Sequence, residues 1–253
     1  MRPGSLLQDR YQVSRVLGRT GDGSVFLCED LRIDGKWWAV KQTVSAGDFE
    51  QQALYLATLH HPALPLIADH FQEDGHAYLV VDYIDGVELG LRVISQGPVE
   101  VAQAFAWGLE IADVLSLLAS QPTPLMLRNL SPREILIVSD GTIRLVNLNV
   151  SALERKPRPG WEQGASGFAA PEAWSGEADE RADLFSLGAI LYFSLTGYAP
   201  DYARPERPDA LDGRRWAVLE RCLDPDPERR GTAEQLRHEL TLLDRRAEAG
   251  PGI

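Results

Sequence analysis

Residues Arg181 to Gly197 read RADLFSLGAILYFSLTG. The stretch from Glu180 to Leu195 repeats apolar side chains at helical spacing. The longest greasy run of the chain, around Leu187 to Leu195, is broken by Ser186, Gly188 and Ser194 and is too short to cross a bilayer. Further helical patterns run over Val99 to Leu118, Pro171 to Trp174, Gly213 to Leu223 and Thr232 to Arg245. The front of the chain is different. From Tyr11 to Gln42, YQVSRVLGR alternates, a glycine-containing turn leads into SVFLCED, and DGK introduces WWAVKQ. Ile67 to Phe71 and Ala77 to Tyr83 read as two more strands, turning at Glu73-Asp74-Gly75. One helix interrupts them, starting at Asp48 with Ala53, Leu56 and Leu59 on its apolar face. Trp37 and Trp38 point to opposite faces of their strand, one to core and one to surface. A β-rich front and an α-rich rear give an α+β fold of two segregated lobes.

Composition narrows the function. With 44% apolar and 25% charged residues over 253 positions, the chain suits one large domain or two lobes. A formal net charge of -12 argues against nucleic acid and anionic membrane as partners, since both are bound through excess Lys and Arg. Arg204, Arg207, Arg214 and Arg215 are read as solvated surface. Cys28 and Cys222 make neither a disulfide framework nor a zinc site. The opening MRPGSLLQDR carries no apolar core of a secretory signal, and a reducing cytoplasm is the expected compartment. No internal repeat or low-complexity segment stands out.

Leu127 to Leu136 read LRNLSPREIL. This stretch resembles the catalytic loop of eukaryotic-type protein kinases, H-R-D-L-K-P-x-N-I-L, without a gap. Arg128, Leu130, Pro132, Ile135 and Leu136 match. Leu127 stands at the histidine, Asn129 at the proton-accepting aspartate, Ser131 at the lysine and Glu134 at the metal-holding asparagine. IRLVNLNVS is similar to the family's K-x-x-D-F-G segment, with Asn147, Leu148 and Asn149 at the D-F-G positions. GASGFAAPE resembles G-T-x-x-Y-x-A-P-E, with Ala165 at the threonine. The structural marks are kept: Glu172 of A-P-E, Arg230 as its partner, and Asp183 as the buried aspartate opening the helix quoted first. The resemblance covers about residues 10 to 245 and is to bacterial serine/threonine kinases.

That resemblance implies a bilobal protein-kinase-like fold. Residues 1–84 form an N-lobe of five strands plus an αC-like helix and run through the hinge; 85–246 form a helical C-lobe; 247–253 are a disordered tail. The segment LGRTGDGSVF matches the glycine-rich loop at Gly18, Gly23 and Val25, with Thr20 at its middle glycine. Lys41 matches the phosphate-pairing lysine of A-x-K. Its αC glutamate position falls on Gln52, which offers a hydrogen bond without charge assistance. Val25, Ala39 and Leu136 match the walls of an adenine pocket, and Asp82-Tyr83-Ile84 resembles the hinge. Leu56, Ile67, Leu127 and Leu148 fall on the four stacked positions that join the lobes. The segment between Gly197 and Gly213 is Pro-rich and lacks the family's helix αG.

With the catalytic aspartate and the metal aspartate both asparagine, no catalytic residue and no metal site are expected. Glu134 with Asn147 is the one candidate metal pair; an exposed glutamate at a loop end is ordinarily just solvated. The leading expectation is a pseudokinase acting as a scaffold or allosteric regulator of a signalling partner, such as an active kinase or another regulatory protein. Alternatives are a sensor that binds ATP or ADP without magnesium, and an atypical ATP-dependent transferase using Glu134 and Asn147. No cofactor is required on the leading reading.

Overall fold

The computed structural model describes residues 1–20, 23–44, 49–122, 124–127, 130–146, 167–174, 178–201 and 205–248. The chain divides into two compact units at Asp85 and Gly86.

In the first unit the alternating front segment becomes strands Leu6–Leu7 (β1), Tyr11–Thr20 (β2), Gly23–Asp30 (β3), Trp37–Val44 (β4), Ile67–Glu73 (β5) and His76–Asp82 (β6). They form one antiparallel sheet in the order β1-β2-β3-β4-β6-β5. The side-chain period of two sends Tyr11, Val13, Phe26, Cys28, Trp38, Val40, Tyr78 and Val80 to one face, where with Leu7 they make a buried core. Phe71 stacks on Tyr11 and on Tyr78, at ring-centroid distances of 6.0 and 4.9 Å. The sheet has six strands where five were expected. The extra one is β1, too short to be read as a strand, which Gly4 N–H extends by donating to Val13 O at 2.7 Å. Of the tryptophan pair, Trp38 is the core residue. Its Nε1 donates to the buried Asp30 Oδ2 at 2.9 Å, and Arg10, just before β2, grips the same carboxylate. Helix α1, Phe49–Leu56, packs on β5.

The second unit opens with β7 (Val87–Glu88) and α2 (Leu89–Gln96), followed by α3 (Val101–Ala119), β8 (Ile135–Ile137) and β9 (Ile143–Leu145). Then come α4 (Arg181–Thr196), α5 (Gly213–Cys222) and α6 (Ala233–Glu248). Strands β7, β8 and β9 pair antiparallel in that order. All of α4 except Arg181, Tyr192 and Thr196 is buried, which is why it has no polar face. Its two serines are satisfied by its own backbone: Ser186 Oγ donates to Ala182 O at 3.3 Å and Ser194 Oγ to Ile190 O at 2.8 Å. Close approach explains two glycines. A Cβ at Gly108 of α3 would lie 2.9 Å from Leu191 Cδ2, and one at Gly188 of α4 would lie 2.7 Å from Cys222 Cβ.

Three sequence expectations change here. The longest apolar helix is α3, long and apolar enough by length and composition to cross a membrane; half of that window is buried, against α6 and α4. Helix α6 runs through Ala247 and Glu248, so the segment 247–253 does not begin as tail; 249–253 lie outside the described residues. Arg207 and Arg215 are not simply solvated. Arg207 Nε donates to Leu211 O at 2.9 Å, while Arg215 pairs with Asp212 at 2.6 Å and lies over the Phe105 ring. Arg204 lies outside the described residues. None of the described residues between Gly197 and Gly213 is helical.

Candidate functional site

Four candidate nucleotide residues of the first unit, Gly18, Val25, Ala39 and Lys41, fall on one face of the sheet. Gly18 of β2 pairs with Val25 of β3, Val25 with Lys41 of β4, and Lys41 with Leu79 of β6. Residues opposite each other across a strand pair share a face, and so do residues two apart, which adds Ala39 to the row. Val40 and Trp38 between them are core, so Val25, Ala39 and Lys41 look away from the aromatic core. All three are half-buried. The two glycines differ. A Cβ at Gly18 would meet nothing within 4 Å, whereas one at Gly23 would sit 1.8 Å from Gln42 O. Gly23 is therefore required by the close passage of β3 along β4, before any ligand is considered.

Asp82, expected to serve through the hinge backbone, is committed within its own unit. Its N–H donates to Leu66 O at 3.0 Å, and its Oδ1 accepts from Lys36 Nζ at 2.9 Å. Lys36 also lies over the Trp38 ring, 4.0 Å from its centroid. The sequence offered no spacing that flagged this latch. Ile84 is half-buried beyond it.

In the second unit, the described part of LRNLSPREIL is held at several points. Leu127 is buried, and its N–H donates to Oδ2 of the buried Asp183 at 2.7 Å. Ser131 is extended (φ -143°, ψ 169°) and caps the single 3-10 turn Pro132–Glu134, its Oγ accepting from Arg133 N–H at 3.4 Å. The Ser131 hydroxyl also donates to Glu134 Oε2. Glu134 N–H donates to Ser131 O at 3.1 Å, and Val146 N–H donates to Glu134 O at 2.7 Å. Leu136 is half-buried in β8, paired with Glu88 and Arg144.

Glu134 thus differs from the expectation of an exposed, solvated carboxylate. Burial pushes its carboxyl above the ordinary value, opposed by the hydrogen bond from Ser131 and by backbone hydrogen bonds from Ser131 and Glu134. A carboxyl that resists ionisation and already has a donor is a poor ligand for a hard cation. Among the described residues no group of three His, Cys, Asp or Glu is placed to hold a metal ion. A sign was present in the sequence. Ser131-Pro132-Arg133-Glu134 has the S-x-x-E spacing of a capping box, whose two side chains bond each other's backbone N–H; here the contact is instead from side chain to side chain.

The structural residues are built as a staple. Arg230, with 0% of its surface exposed, donates through Nη2 to Glu172 Oε2 at 2.9 Å and through Nη1 to Oε1. Its remaining donors reach Asp224 O at 2.8 Å and Arg181 O at 3.1 Å, and it stacks over Phe185. A fork of this geometry suits arginine and not lysine. Leu56 and Ile67 are half-buried on α1 and β5. Asn129, Asn147, Leu148, Asn149 and the Gln52 side chain lie outside what is described.

A six-stranded antiparallel sheet with one helix, followed by a helical unit whose loop is clamped by a buried helix-opening aspartate and an Arg–Glu staple, defines the protein kinase fold. The model of the protein kinase domain matches residues 11–240, and the chain belongs to that family. It is 29% identical to the serine/threonine-protein kinase PknG of Mycolicibacterium smegmatis, with 95% of this chain and 33% of that relative covered. It is 28% identical to the serine/threonine-protein kinase PknB of Mycobacterium tuberculosis, over 96% of this chain and 44% of the relative. The chain therefore spans between a third and a half of the length of these relatives.

Proposed function

We propose that this kinase domain is a pseudokinase: it keeps the frame of the family without phosphotransfer and acts as a scaffold or allosteric regulator of a signalling partner, such as an active kinase, in the cytoplasm. The observation that carries this reading is the Asp183–Leu127 hydrogen bond of 2.7 Å. The loop backbone is still gripped by its buried carboxylate, yet the loop so held carries Leu127, Asn129 and Ser131 at the positions where the family keeps histidine, aspartate and lysine. Magnitudes support the reading. Kinases turn over at about 1–100 per second. Removing a positioned general base costs about 10²–10⁴, and Asn147 in place of the metal-binding carboxylate removes a further electrostatic contribution of several kcal/mol. Residual turnover of order 10⁻⁴ per second or less follows, allowing for non-additivity. The test is transfer of labelled phosphate from ATP to the protein itself and to a generic basic protein, with magnesium or manganese. The reading expects no transfer above that rate; metal-dependent transfer near one per second would refute it.

A second reading has its own observation. Gly18, Val25, Ala39 and Lys41 share one sheet face, and the space over Gly18 is open. This supports a sensor that binds ATP or ADP without metal, with Lys41 answering the phosphates. Gly18→Val is its test. A Cβ at Gly18 meets none of the described residues within 4 Å, so the added side chain should abolish nucleotide binding while leaving stability within about 0.5 kcal/mol. Unchanged binding in this variant would count against the pocket.

A further inference from the structure

Two departures from the family pattern, Ser131 and Glu134, are in hydrogen-bond contact with each other. The family pattern they replace has a lysine at the first position and a metal-holding asparagine at the second. The surrounding packing keeps the pair enclosed. A Cβ on Gly86 would come 2.9 Å from Ile137 O, so this glycine lets the chain lie close over β8, and Gly90 of α2 lies against Pro132, where a Cβ would be in ordinary contact at 3.5 Å. Ser131 and Pro132 are buried, and Glu134 is half-buried. The backbone on either side is tied by Leu127 N–H to Asp183, by Glu134 N–H to Ser131 O, and by Val146 N–H to Glu134 O.

We infer that Ser131 and Glu134 are a positioning pair: their mutual hydrogen bond orders the loop from within, in place of a bound metal ion, and withholds the Glu134 carboxylate from any cation. This deepens the pseudokinase reading and rests on it for the role assigned to the loop. The pair closes a ring with the backbone of the 3-10 turn. Removing either member should release the same turn, and removing both should cost little more than removing one.

The experiment is amide hydrogen exchange at Glu134 and Val146 in the full chain, for wild type, Ser131→Ala, Glu134→Ala and the double variant. Each is measured in EDTA and in millimolar magnesium. Each single variant should speed exchange at both amides at least tenfold, the double variant should be no faster than the faster single, and magnesium should change nothing. Ser131→Thr and Glu134→Gln keep a donor and an acceptor and should restore protection, which separates the pair from a general loss of folding. Accelerations that multiply in the double variant would overturn the pairing, while leaving the silent-kinase reading to the phosphotransfer assay. Slower exchange in magnesium that disappears in Glu134→Gln would overturn both, because Glu134 would then be a metal ligand.

Discussion

Arg230 and Asp183 show what single residues contribute to this fold. Arg230 has no exposed surface and satisfies Glu172 and backbone carbonyls at once. Arg230→Lys keeps the charge but loses the fork, and breaking a buried pair of this kind costs about 3–5 kcal/mol. Urea unfolding should show that loss in Arg230→Lys, with most of it already present in Glu172→Gln. Asp183→Asn should cost less, about 1.5–3 kcal/mol, the range for a hydrogen bond to a charged group. The motif pattern made both residues legible, since each sits in a stretch that matches the family. Glu134 was misread at the same scale. Its exposure depends on α2 and β7 lying over the turn, which no spacing within LRNLSPREIL announces.

The elements were legible where periodicity was long and uniform. Strands β2 to β6 and helices α3 to α6 fall where alternation or helical spacing placed them, within a few residues. Helix α2 was missed because LGLRVISQ is a short amphipathic helix of about two turns directly after a strand, and Glu88 at its start makes no side-chain cap. Two predictions belong to the sheet. Gly23→Ala puts a Cβ 1.8 Å from Gln42 O, so β3 and β4 must part; calorimetry should show a loss of about 1–3 kcal/mol, against near neutrality for Gly18→Ala. The second concerns Asp30, which ties β2, β3 and β4 together. Hydrogen bonds from Arg10 first, then from Trp38 and the Arg32 amide, outweigh burial and hold its carboxyl at about 2. The ordinary value in an unfolded chain is about 3.9. Its contribution is therefore complete above about pH 4 and lost as the pH falls through the folded value. Acid unfolding of wild type should steepen in that window, and Asp30→Asn should be less stable at pH 7 and lack that segment of the pH dependence. Equal acid slopes for the two proteins would mean that Asp30 is not the group responsible.

At the scale of the molecule, a protein kinase architecture is retained down to its buried staples, and the loop it holds carries Leu127, Asn129 and Ser131 where the family motif has histidine, aspartate and lysine. The family relationship was readable from the helix RADLFSLGAILYFSLTG and the loop LRNLSPREIL together; the local pairing inside that loop required coordinates. The central claim is that nothing in this domain depends on a metal-bound nucleotide. The measurement that tests it most directly is thermal unfolding with millimolar ATP, once in magnesium and once in EDTA. A ligand at about 100-fold over its Kd adds about 2.7 kcal/mol, a shift of several degrees for a domain of this size. The account predicts the same melting temperature in both, either unshifted or shifted equally if the sheet face binds nucleotide without metal. A shift seen only with magnesium would contradict it and restore Glu134 and Asn147 as a metal site.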